Sequence, residues 1–392
     1  MKKQLNAIFL LAGTAIGSGM FSLPIILAKF GIINSCIIIL VFALLTYITA
    51  IIRAELNLNS QSESTLKEVG IIFNCPKIGF IGDWFLKILS FALISAYISG
   101  GTSIINAFFN NIFSHTFVLI IFTILIAITF FFYSNKIVHI NKILFIGMFS
   151  ALMILTSMLL LKTNIRIVPN KISNIHFQEW TTLIPIIFTS FGFQGSIHSM
   201  TKLCNNDISL IKKACFWGSI IPAFVYIIWT SSVLFVVCNT DIHFFQLMLE
   251  GNKIDIGKLI NVLSCSISMK CVQNSVWIVS ILAIITSIVG VVLALLDIFQ
   301  REWNMNKLKS ICLITIIPAF IALFVPNAFI RILNISGIIL SFIAIIVPII
   351  ISWKMQTIKK CNLIITSRFI TITVFICGIL IILLGILDIR TI

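Results

Sequence analysis

The chain is a series of long apolar runs that carry almost no charge, and that pattern commits it to a lipid bilayer. Crossing about 30 Å of hydrocarbon takes roughly 20 residues of helix. Eleven runs of about that length can be marked, at 5–29, 32–53, 80–113, 117–133, 143–161, 183–200, 215–238, 276–299, 311–325, 328–353 and 369–387. Backbone N–H and C=O groups in lipid must be satisfied within the segment, so each run is expected to be a helix. Only 10% of the 392 residues are charged and the mean hydropathy is +1.15, whereas soluble domains carry roughly a quarter charged residues. The expected fold class is an all-α integral membrane protein with about 11 transmembrane helices. Met1-Lys2-Lys3 could open a secretory leader, but the apolar run after it is too long and ten more follow, so it reads as an uncleaved first helix.

A net charge of +15 would suit nucleic acid if it were gathered on one face. Here it is spread over the links between spans. With the N-terminus cytoplasmic, two thirds of the 27 lysines and arginines fall on the inner side, as the positive-inside rule requires. The C-terminus is then outside. The ten cysteines show no metal-ligand spacing. Cys265 and Cys271 share a long outer link and could pair in an oxidising compartment. No H-E-x-x-H and no P-loop occurs, and no Asp or Glu lies deep in a span. A catalytic site and a carboxylate proton relay are both disfavoured.

Two runs are interrupted midway. The first contains Gly13, Thr14, Ala15, Ile16, Gly17, Ser18 and Gly19, and three glycines in seven residues invite the helix to unwind. The sixth contains Phe188, Thr189, Ser190, Phe191, Gly192, Phe193, Gln194, Gly195 and Ser196. A lone Gly-x-x-x-Gly can be a helix-packing device. A pair of interrupted spans at matching places in two halves points instead to a transport site at a repeat interface. The expected division is a first inverted repeat at 1–165, a second at 166–355, and an accessory helix within 356–392.

Unwound N–H groups at Gly17–Gly19 suit a carboxylate, and carbonyls freed around Phe188–Ser190 suit an amine. Tyr97 lies too deep for the interfacial aromatic belt and is expected at the cavity. Phe193 could pack on a ring. Ala283, Thr286 and Ser287 share a face of the eighth span, where the hydroxyls either serve a ligand or bond back to their own helix. His198, at the inner end of the sixth span, is best read as a helix-end histidine bonded to nearby backbone.

Six stretches resemble the hydroxy/aromatic amino acid permease family, above all its tyrosine-specific branch. They are GTAIGSGM at 13–20, AYISGG at 96–101, IPIIFTSFGFQGS at 184–196, GSIIPAFVYIIW at 218–229, TSIVGVVLALLDIFQ at 286–300 and VPIIISW at 347–353. The resemblance covers nearly the whole chain in order. It implies a five-plus-five inverted-repeat core with an eleventh accessory helix in a bacterial-type inner membrane. It also implies import of aromatic amino acids, tyrosine first and then tryptophan, by cation-coupled symport with alternating access. Carried over by position, Gly17, Ser18, Gly19 and Tyr97 would meet the substrate carboxylate, and Ala15, Phe188 and Thr189 its amine. Thr14, Ser190, Phe191, Phe193 and Gln194 complete the expected substrate site. Similarity to sodium-coupled relatives implies a cation held by Gly13, Ile16, Ala283, Thr286 and Ser287. Two positions depart from the pattern: Met148 stands at the depth where proton-coupled members carry a lysine, and Gln194 where the tyrosine permease has histidine. No cofactor is implied beyond a coupling ion, H+ or Na+, and no partner beyond the amino acid and the bilayer. A serine/threonine permease, and an amino-acid sensor or channel on the same scaffold, remain as alternatives.

Overall fold

The computed structural model describes residues 2–60, 65–162, 175–250, 255–266, 270–325, 328–358 and 368–390. For Ser18, 133–142, Cys271 and a few helix-end residues it describes the backbone alone. Within those limits every regular element is helical. The first span is divided into α1 (Lys2–Ala15), a 3-10 turn (Ser18–Phe21) and α2 (Ser22–Leu27). Then come α3 (Gly31–Asn59), the short α4 (Leu66–Ile72), α5 (Pro76–Phe108) and α6 (His115–Lys162). The sixth span is likewise split, into α7 (Phe177–Ser190), a 3-10 turn (Gln194–Ser196) and α8 (Ile197–Leu203). After it follow α9 (Ile208–Thr240), the link helices α10 (Ile242–Glu250) and α11 (Ile256–Cys265), and α12 (Lys270–Glu302). The chain finishes with α13 (Lys307–Phe324), α14 (Ala328–Ser341), a π turn (Phe342–Ile346), α15 (Val347–Ile358) and α16 (Arg368–Arg390).

Nine helical stretches among the described residues are long and apolar enough to cross a membrane. They correspond to the expected spans other than the first and sixth, with the stretch Gly19–Asn59 also taking in the second half of the first, and those two are the broken ones. The fourth and fifth spans are two separate crossing candidates, joined by helical backbone rather than by a loop. Both lie in α6, whose crossing candidates are His115–Phe132 and Ile143–Leu161. The link at 134–142 holds no glycine or proline, so nothing in it breaks helical hydrogen bonding. The third span ends at Phe108, short of 113, because Asn110 and Asn111 adopt left-handed backbone at φ 52° and 58°, a conformation asparagine tolerates at a helix end.

Local chemistry sets the other boundaries. Gly31 joins the first span to α3 at φ 72°, which a Cβ would strain. Part of the polar stretch after α3 forms α4, started by a capping box in which Thr65 and Glu68 exchange side-chain and backbone hydrogen bonds. Asp207 caps α9 through Ser209 and Leu210 N–H. The exposed Cys265 keeps a free thiol, and the side chain of Cys271, its suggested partner, lies outside the described residues.

The core sits where both broken spans cross α3, α5, α9, α12 and α14. α7 crosses α14 closely. A Cβ built on Gly337 would overlap the carbonyl oxygen of Pro185, a backbone atom that cannot rotate aside. Gly337→Ala must therefore push the helices apart, at about 3 kcal/mol. The expected readout is a clearly lower melting temperature for the purified protein. An unchanged melt would contradict this crossing.

Candidate functional site

α1 stops because Gly17 leaves the helix, with φ −159° and ψ −151°. The last α-helical bond runs from Ile16 N to Ala12 O at 2.8 Å, and the following 3-10 turn closes with Met20 N on Gly17 O at 3.2 Å. The N–H groups of Gly17, Ser18 and Gly19 stand at the start of this turn, where intrahelical acceptors are missing. The sixth span breaks similarly after Ser190. Phe191, Gly192 and Phe193 turn back on the carbonyls of Phe188, Thr189 and Phe191, at 3.2, 2.9 and 2.7 Å.

The two breaks touch. A Cβ on Gly19 would lie 3.0 Å from Ser190 Oγ, and one on Gly17 would overlap Ser287 Oγ on α12. Between the breaks is a cavity of about 40 Å³, on a scale where one water needs about 10–15 Å³. Thr14, Ala15, Gly17 and Gly19 line it from the first break, and Thr189, Ser190 and Gly192 from the second. Ser287 and Tyr97 complete the polar lining. Leu89 and Leu93 of α5 with Leu333 and Leu340 of α14 make an apolar wall. The space holds a few waters, so a larger guest enters only as the wall moves.

Tyr226 of α9 ties the breaks together, and reasoning from the sequence did not single it out. Its hydroxyl, fully buried, lies 2.7 Å from Ala15 O and 2.6 Å from Ser190 O. With one proton it donates to one carbonyl at a time. Trp229, one turn on, donates Nε1–H to Met20 O at 3.1 Å. The depth argument applied to Tyr97 would have found Tyr226, since both are tyrosines in the middle of an apolar span.

Seven of the expected substrate residues meet at the cavity: Thr14, Ala15, Gly17, Gly19, Tyr97, Thr189 and Ser190. Ser18 supplies backbone only, its side chain lying outside the described residues. The three phenylalanines are buried away from the lining. Phe188 packs near Phe42, Phe191 meets Tyr226 edge-on at 5.2 Å, and Phe193 joins the cluster with Ile197 and Met200. Gln194 turns to α3, donating Nε2–H to Thr49 Oγ1 at 2.8 Å. On the suggested cation face, Ser287 Oγ donates to Ala283 O at 2.7 Å, and Thr286 Oγ1 lies 2.9 Å from Leu282 O. Ser287 also meets Gly17, but Thr286 turns to Met148 Sδ at 3.7 Å. Gly13 faces the Phe145 ring, and Ile16 is buried. His198 is exposed and sits 3.2 Å from Gly195 O, the helix-end arrangement expected for it.

The chain is similar to known proteins in fold and in sequence. The fold is similar to that of a mutant of the manganese transporter of Eremococcus coleocola, at TM-score 0.55 and 13% identity over 98% of this chain and 85% of that one. The model of the tryptophan/tyrosine permease family matches residues 1–385. The chain belongs to the tryptophan/tyrosine permease family. Among relatives of this permease, the tyrosine-specific transport system 1 of Haemophilus influenzae is 28% identical, over 90% of this chain and 88% of the relative. Glutamine transporter 2 of Aliivibrio fischeri is 26% identical over 88% of each. A permease moves its cargo unchanged, so the groups that matter are those that bind and those that move.

At the end of the broken spans away from Lys2, the permease has an ion pair. Lys29 Nζ lies 2.7 Å from Glu179 Oε1, joining the end of the first span to the first turn of α7. Burial pushes the Glu179 carboxyl up, but the Lys29 hydrogen bond and charge, with backbone donors, outweigh it and hold it below its ordinary value of 4.5. A depressed carboxylate stabilises the fold above its unfolded pKa, and that stability is lost as pH falls through the folded value. The melting advantage of wild type over Glu179→Gln is therefore expected to be full at neutral pH and to shrink as pH drops below about 4.5. A difference constant across that range would show that the pair contributes nothing.

Proposed function

We propose that this permease imports aromatic amino acids, tyrosine first and tryptophan second, by cation-coupled symport. The observation that carries the reading is a cavity shared by two broken helices, polar where they break and apolar opposite. The substrate carboxylate meets the N–H groups of Gly17–Gly19, and the amine meets oxygens of Thr14, Ala15 and Thr189. The side chain lies toward Tyr97 and the leucine wall, a surface suited to the face of an aromatic ring. Residues 1–165 and 166–355 act as inverted repeats, with α16 accessory to them. Rocking of one helix group about the fixed cavity gives alternating access. The N-terminus is cytoplasmic and the C-terminus outside, in a bacterial-type inner membrane, as the charge asymmetry favours.

The coupling ion is H+ or Na+. Ser287, beside Gly17, supports a cation near the first break, and the thioether of Met148 offers no titratable group there. The test is uptake of labelled L-tyrosine into proteoliposomes, with proton and sodium gradients imposed separately. Unlabelled tryptophan, phenylalanine, serine and glutamine serve as competitors. Saturable uptake driven by one gradient, competed by tryptophan more than by serine, is the expected result. Absence of tyrosine uptake under either gradient would sink the assignment, and uptake without saturation would indicate a channel.

A further inference from the structure

Thr46, Thr49, Arg53 and Asn57 recur at spacings of three and four along α3, so they share one face of that helix. All four are buried. Toward the middle of the protein the stripe is satisfied, because Gln194 donates to Thr49. Further along it is not. Arg53 Nη1, both side-chain amide atoms of Asn57 and Oε1 of Gln194 are buried with no hydrogen-bond partner among the described residues. Arg53 is 9% exposed and Asn57 0%. Helical side chains lean toward the N-terminus of their helix, so Arg53 leans toward Thr49, and with it toward Gln194.

Among the described residues the charge of Arg53 is also unanswered. The ion pairs among the described residues are Lys29–Glu179 and Lys87–Asp83, and neither includes it. Glu55 is buried two positions along, which is the opposite side of α3, and it is engaged elsewhere. A guanidinium cannot shed its proton to escape burial, and an isolated buried charge is among the least favourable arrangements in a protein interior. Water could satisfy the hydrogen bonds but would leave the charge.

We propose that Arg53 and Asn57 bind a small monovalent anion at the end of α3 nearest the face of Lys2, with Gln194 Oε1 reached through water. Asn57 can present its NH2 group, since its amide oxygen and nitrogen exchange by a half-turn and neither is otherwise held. The anion is either free chloride or the carboxylate of an amino acid cargo that has left the Gly17–Gly19 site toward the face of Lys2; the second source rests on the proposed function.

The test is thermal unfolding of the purified protein at constant ionic strength, without amino acid. Chloride, and in a second arm acetate, replaces gluconate, a much bulkier anion. Wild type is expected to show a saturable rise of several degrees that Arg53→Met abolishes and Asn57→Leu diminishes. A chloride response assigns the free anion, and a response to acetate alone assigns the carboxylate. Indifference of wild type to both, or an equal response in Arg53→Met, overturns the proposal. Should Arg53→Met fail to fold, chloride-35 line broadening on wild type, relieved by bromide, replaces the chloride arm. No broadening together with no acetate shift would then overturn it. Neither arm needs a transported substrate, so a wrong cargo assignment leaves the result standing.

Discussion

Tyr226→Phe is expected to lower tyrosine uptake at least about tenfold while the protein still folds. The ring stays, and with it the edge-on packing against Phe191. Only the hydroxyl is lost, and with it the tie between Ala15 O and Ser190 O. A net hydrogen bond and a buried carbonyl left without its donor together cost about 2 kcal/mol. Tenfold in rate corresponds to about 1.4 kcal/mol, so a penalty falling mainly on the transport-competent junction suffices. The variant is compared with wild type in proteoliposome uptake and in a thermal melt. Wild-type uptake would mean that the two breaks hold their relation without this hydroxyl. A collapsed melt would mean that Tyr226 serves the fold more than the site.

Gly17→Leu is expected to abolish tyrosine binding, by at least about 100-fold or roughly 2.8 kcal/mol. A Cβ there lands on Ser287 Oγ, and the remaining carbons enter a cavity of about 40 Å³. The obstructing atom is the tip of a small side chain that can rotate, so the fold tolerates the change better than the site does. The milder Gly17→Ala separates the two effects. Its loss should be partly restored by Ser287→Ala, which removes the overlapping atom. Binding is read by isothermal calorimetry in detergent. Undiminished binding by Gly17→Leu would remove the first break from the site.

Much of the fold could be read from the chain because the bilayer leaves few choices. A charge-poor run of twenty residues has to be a helix, and the two runs singled out for their small residues both break, although Ser99–Ser103 of the third run, just as small, stays helical in α5. Where helix limits were misjudged, the cause was local. Nothing in 134–142 ends helical hydrogen bonding, and Asn110 with Asn111 ended the third span early. Backbone positions of the site were likewise legible, since Gly17 and Gly19 with Ser18 loosen the first run, and Gly192 and Gly195 the sixth, where the helices do break. Side-chain positions were less so. Phe188, Phe191 and Phe193 looked available to a ring and are core instead, because their direction depends on which neighbouring helix each one faces.

Sequence alone established a membrane-embedded helical protein, the two interrupted spans and the likeness to aromatic amino acid permeases. These follow from hydropathy, from glycine content and from motifs contiguous in the chain. Only the tertiary structure decided that Tyr226 bridges the breaks, that Thr286 turns to Met148 while Ser287 meets Gly17, and that Arg53 is buried without a counter-charge among the described residues. Each of these depends on contacts between residues far apart in sequence, set by how helices pack and not by their local composition.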